Sequence, residues 1–145
     1  MLKKTIKYEN FLGIEVEEDF YFNYTLAEIA SMKLREAGGI EAKLQKIVNT
    51  KDQPKLFELF TDLILNAYGE ISPDGKRFIK SKELSEAFSQ TEAFSQLFME
   101  LLGDEKAAAD FVTACMPASI QAEMIKQAKQ TTRKTTKKLT NEKAS

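Results

Sequence analysis

The stretch whose spacing comes nearest to a chemical site is EISPDGKRFIKS, Glu70 to Ser81. With Gly75 at the sixth position of a calcium loop, Glu70, Ser72 and Asp74 take the first, third and fifth positions, where oxygen ligands are needed. The twelfth position requires a bidentate glutamate and holds Ser81, so calcium is rejected and Pro73, Asp74 and Gly75 read as a turn. The chain has no histidine, which excludes histidine-based triads and histidine-ligated zinc. Its one cysteine, Cys115, follows Phe111 and Val112 on an apolar helical face and reads as a core residue. The acidic residues are scattered, and no phosphate-binding glycine loop, CxxC pair or HExxH motif is present. No enzyme, metal or cofactor is expected.

What remains is surface. The 21 basic and 22 acidic residues nearly balance, yet residues 126–145 hold seven basic side chains (Lys126, Lys129, Arg133, Lys134, Lys137, Lys138 and Lys143) against Glu142 alone. The body is therefore −7 and the tail +6. The tail has no aromatic residue to stack on a base and the acidic body repels a duplex, which disfavours nucleic acid. Leu139 is its only large apolar residue, so disorder is expected there.

The other unusual feature is EAFSQ, which occurs at Glu86–Gln90 and again at Glu92–Gln96. A six-residue offset turns about 600° around a helix, so the copies cannot share one face. Either the helix breaks near Gln90 and Thr91, or Phe88 and Phe94 meet different neighbours. Aromatics and adaptable methionines beside such a break suit a groove for apolar partner segments, which makes Phe88, Phe94, Phe98, Met99 and Met116 the candidate partner-binding residues.

The elements that must position these residues begin with alternation. Ile6, Tyr8, Ile14, Val16, Phe20 and Phe22 occupy even positions, and Lys3, Lys7, Glu15, Glu17 and Asp19 odd ones. This predicts a two-stranded hairpin with its turn within Glu9 to Gly13 and the lysines facing the acids. Thr25 and Glu28 have capping-box spacing, opening a helix with Leu26, Ile29, Ala30 and Leu34 as its apolar face, stopped by Gly38 and Gly39. Ile40, Leu44, Ile47 and Val48 mark a second helix. A third, opened by Asp52 and Pro54, carries apolar residues from Leu56 to Tyr68 around most of its circumference and is placed centrally, closed by Gly69. Ser81 caps a fourth. A fifth holds Phe94, Leu97, Phe98, Leu101 and Leu102 up to Gly103, and Asp104 caps a sixth that ends before Pro117. Ile120, Met124 and Ile125 form a weak seventh.

The expected fold is thus mainly α: one domain over residues 1–125 with about six to seven helices and an N-terminal two-stranded β-hairpin, then a disordered basic tail over 126–145. No apolar run approaches the roughly 18 residues needed to span a bilayer, and nothing after Lys3 and Lys4 resembles a signal peptide, so cytoplasm is expected and a membrane partner is not.

The phrases EDFYFNYTLAEI, GGIEAKLQKIV, LFTDLILNAYG, DGKRFIKSKELSEAFSQTEAFSQLFMELL and AAADFVTACMP, in this order from about Lys4 to Pro117, make the chain resemble tail assembly chaperones of long-tailed, siphovirus-type phages and prophages of Gram-positive bacteria. The resemblance implies a non-enzymatic protein of the host cytoplasm, absent from the mature virion, that binds the tape measure protein, keeps it soluble and helps recruit tail tube protein. It also implies individually weak contacts, since tube subunits must displace the chaperone. A frameshifted longer form is frequent in such families and is not visible in a protein sequence. The alternatives are a structural tail or connector subunit that forms a homo-oligomer through its hairpin edge and, ranked last, a nucleic-acid-binding regulator using the basic tail.

Overall fold

In the computed structural model, alternating residues in the first 22 positions form β1 (Leu2–Glu9) and β2 (Glu15–Phe22), which pair antiparallel. The described residues are 1–35, 42 and 53–122. The second predicted helix, the residues Met124 and Ile125, and the basic tail lie outside them. In the hairpin, Ile6, Phe20 and Phe22 face the core. The opposite face sets Lys3 against Asp19 at 3.5 Å and Lys7 against Glu17 at 3.8 Å, the predicted cross-strand pairing.

Helices and two short strands follow among the described residues, in the order α1 (Leu26–Arg35), α2 (Gln53–Ala67), β3 (Tyr68–Ile71), β4 (Phe78–Ile79), α3 (Lys82–Ser89), α4 (Glu92–Leu102) and α5 (Glu105–Ala114). The expectation of a two-stranded hairpin beside helices is corrected here. β2 also pairs with β3 through Tyr21↔Gly69 and Phe22↔Tyr68, and β3 pairs with β4, giving a four-stranded antiparallel sheet in the order β1-β2-β3-β4. Tyr68, the expected last apolar residue of a helix, instead starts a strand.

The added strands are four and two residues long, too short for alternation to reveal them. Between them the predicted turn is built from Ser72 and Asp74. The Ser72 hydroxyl donates to Asp74 at 2.6 Å, and the Lys76 amide donates to the same carboxylate oxygen at 3.0 Å. Gly69 permits the close packing of β3 on β4. A β-carbon there would lie 2.6 Å from the Phe78 ring and 2.7 Å from the Ile79 carbonyl oxygen. The ring can turn but the strand backbone cannot, so Gly69→Ala is expected to lower stability by about 1–3 kcal/mol, read as a lower urea midpoint.

The helices start where their caps are. Thr25 and Glu28 exchange the two bonds of a capping box, and Ser81, Thr91 and Asp104 cap α3, α4 and α5. α1 buries Ile29 but leaves Leu26 and Leu34 exposed, a narrower face than expected. α2 buries Phe60, Leu63, Ile64 and Ala67 and leaves Phe57 exposed. Residues 23 and 24 fasten the hairpin to the helices. The Asn23 amide donates to the Ala67 carbonyl, the Tyr24 amide to the Cys115 carbonyl, and the buried Tyr24 hydroxyl to the Leu63 carbonyl at 2.6 Å. Cys115 is buried in this core, and burial pushes its thiol up to about 12.

Lys80 bridges Glu28 at 2.7 Å and lies over the Tyr24 ring, joining the end of the sheet to α1. Partial burial alone would raise the Glu28 carboxyl, but hydrogen bonds from Lys80 and Thr25 outweigh it and hold the group below its ordinary 4.5. A depressed folded value means stabilisation that is present above pH 4.5 and lost as pH falls through the lower folded value. Glu28→Gln is expected to cost about 1 kcal/mol at pH 7. The gap from the parent should close in acid, as measured by urea melts across pH.

Candidate interaction surface

The hairpin connection is Asn10-Phe11-Leu12-Gly13-Ile14, an unusual turn because three of its five residues are large and apolar. Its backbone is tied down locally. The Asn10 side-chain oxygen accepts from the Leu12 and Ile14 amides, both at 3.0 Å, while the Asn10 amide donates to the Ile14 carbonyl at 2.9 Å. Gly13 supplies the positive φ of 77° that returns the chain, and its amide donates to the Asn10 carbonyl. This ordered frame holds Phe11 76% exposed, Leu12 83% exposed and Ile14 more than half exposed. None of the three contributes to the core of its own domain, so the turn presents an apolar patch.

Beside the turn runs α4, which packs against β1 through Ala93, Leu97 and Leu101 on its buried face. Lys4 on β1 also reaches Glu100 on α4 at 3.1 Å. The opposite face of α4 stays open. Together with Tyr8, Glu9, Asn10, Phe11 and Gly13 it lines an open groove of about 660 Å³, to which α4 contributes Glu92, Ser95, Gln96 and Met99. Met99 is 67% exposed. Tyr8 donates to Glu18 at 2.7 Å, and that bond with the nearby negative charge pushes its phenol up to about 12, so it stays a neutral donor at physiological pH.

The five residues singled out from sequence do not form one patch. The helix breaks at Gln90 and Thr91, between the copies of EAFSQ, and this brings Phe88 and Phe94 edge to face at 5.6 Å. Phe94 stacks on Phe98 at 5.6 Å, and Phe98 reaches Phe57 and Phe60. Phe88 and Met116 are fully inside the domain, whereas Phe94 and Phe98 are half-buried. Met99 alone stands on the surface, on the α4 face turned away from the core. Phe11, Leu12 and Ile14 were not among the residues selected by sequence. The available signal was a pair of large apolar residues inside a predicted turn.

Among the described residues no group of side chains could hold a metal ion, and no helix is long and apolar enough to cross a membrane. A family model for phage tail assembly chaperones matches residues 1–145, the whole chain. The chain belongs to the phage tail assembly chaperone family. No curated protein and no solved structure matches it. Membership in this chaperone family implies a non-catalytic role and protein partners in tail assembly.

Proposed function

We propose that this chaperone binds the tape measure protein in the bacterial host cytoplasm, keeps it soluble while tail tube subunits are recruited, and is left out of the finished virion. The observation that carries this reading is the hairpin turn, whose hydrogen bonds hold Phe11, Leu12 and Ile14 outward at no packing benefit to the domain itself. Apolar client helices gain by covering such a patch. Several copies along a long client combine weak contacts into a stable complex, and each copy remains displaceable by tube subunits. Of the residues selected from sequence, Met99 joins this patch, with Phe94 and Phe98 as further proposed contacts.

The test is the soluble fraction of the tape measure protein encoded beside this gene, expressed with and without the chaperone. Co-expression is expected to move most of it into the soluble fraction, as a complex recovered by pull-down. An insoluble tape measure protein and an empty pull-down would count against this function. A second reading, a structural tail or connector subunit, is favoured by β1, which among the described residues pairs with β2 alone and forms one edge of the sheet. Mass spectrometry of purified virions separates the two, because only a structural subunit is retained in them.

A further inference from the structure

The groove beside the turn adds the chemistry of recognition to that reading and rests on it. Glu92, Ser95, Gln96 and Met99 follow at intervals of three, one and three residues, so they form one stripe along nearly two turns of α4. That stripe faces away from Ala93, Leu97 and Leu101 and has no cover among the described residues. The groove's volume, about 660 Å³, has room for several side chains.

Both walls are held locally, one by the Asn10 bonds of the turn and the other by the Thr91 cap of α4. Charge then limits the occupant. The groove's charged liners are Glu9 and Glu92, with no lysine or arginine among them, and neither carboxylate has an ion-pair partner among the described residues. On the neighbouring strand Glu15 sits opposite Glu9 in the register and adds to the negative charge there. A client that brings carboxylates to this groove meets repulsion, and one that brings cations finds Glu9 and Glu92 beside Phe11 and Met99.

We infer that the groove between the hairpin turn and the outer face of α4 is the client seat, and that it takes an amphipathic helix of the tape measure protein. Its apolar side chains settle on Phe11 and Met99, and its lysines or arginines meet Glu9 and Glu92. A helix fits the helical spacing of the α4 stripe, which offers a ridge to pack against. The acids contribute register and salt sensitivity, and the apolar contacts contribute most of the affinity.

The experiment uses the full chain co-expressed with the tape measure protein, with a photo-crosslinking residue at Ser95 or Gln96 and the captured peptides mapped by mass spectrometry. Crosslinks are expected within a segment of helical apolar periodicity that carries lysine or arginine. Glu9→Gln combined with Glu92→Gln should weaken binding about fivefold at about 50 mM salt and change little at about 500 mM. Met99→Asp should weaken it about tenfold at both. These are surface substitutions, and unchanged thermal melts would confirm that the variants are folded.

If the complex forms but crosslinks fall on an extended segment without helical periodicity, the helix-seat proposal is overturned in favour of strand addition to β1. If it forms while both variants bind like the parent and Ser95 and Gln96 capture nothing, the groove is not the seat and the chaperone reading survives. If no complex forms, the tape-measure reading fails and the groove proposal goes with it.

Discussion

Replacing Phe11 and Leu12 together by aspartate will leave this chaperone folded and remove its hold on the client proposed for it, the tape measure protein. Both side chains lie outside the core, and the bonds that shape the turn use the Asn10 side chain and backbone groups, which the substitution retains. The melting temperature should therefore shift by no more than about 2 °C. Binding should respond in the opposite way. Burying each of these side chains against a client contributes about 1.5–3 kcal/mol, so losing both weakens a single site by more than about 100-fold. The new carboxylates also bring water to what was an apolar patch. Soluble tape measure protein should fall to the level seen without the chaperone. A variant that still keeps its client soluble would mean that the turn is not the working surface.

The sequence was most legible where structure is local. Alternation from Lys3 to Phe22 placed both strands and their charge pairing, and Thr25, Ser81 and Asp104 marked helix starts because each cap is decided within four residues. It was least legible where partners are distant. Tyr68 continues the apolar run of α2 and carries nothing local to show that it pairs with Phe22, 46 positions earlier. The fold was consequently expected to have a hairpin where a four-stranded sheet exists. Strand lengths of two and four residues compound the problem, since a period of two needs several repeats to stand out.

The candidate surface was partly visible for a similar reason. α4 carries Phe94, Leu97, Phe98, Leu101 and Leu102 over a wide arc, and the wheel alone does not say which edge of that arc meets solvent. Met99 stands out in the sequence as an adaptable residue near a break, but its separation from Phe98 depends on how α4 is rotated against β1. Phe11 and Leu12 passed as turn residues because their significance depends on the absence of anything for them to pack against. That absence is a tertiary fact.

Phe88 separates packing from binding most sharply. Replacing it with alanine should cost about 3–5 kcal/mol, because a nearly inaccessible ring at 2% exposure leaves a cavity that its neighbours cannot close. Those neighbours are themselves rings. Phe88 stacks on Tyr68 at 4.2 Å and meets Phe20 at 5.2 Å, Phe22 at 5.8 Å and Phe94 at 5.6 Å, so its loss removes contacts to β2, β3 and α4 at once. A domain of this size holds only about 5–15 kcal/mol in total, and the melting temperature should fall by about 10–20 °C. Any loss of client solubility by Phe88→Ala should therefore track the unfolded fraction and recover at lower temperature, whereas the loss from Phe11→Asp/Leu12→Asp should persist in a folded protein. A folded Phe88→Ala variant with unchanged melting and no client binding would reverse the assignment, making the aromatic cluster the binding surface and the turn incidental.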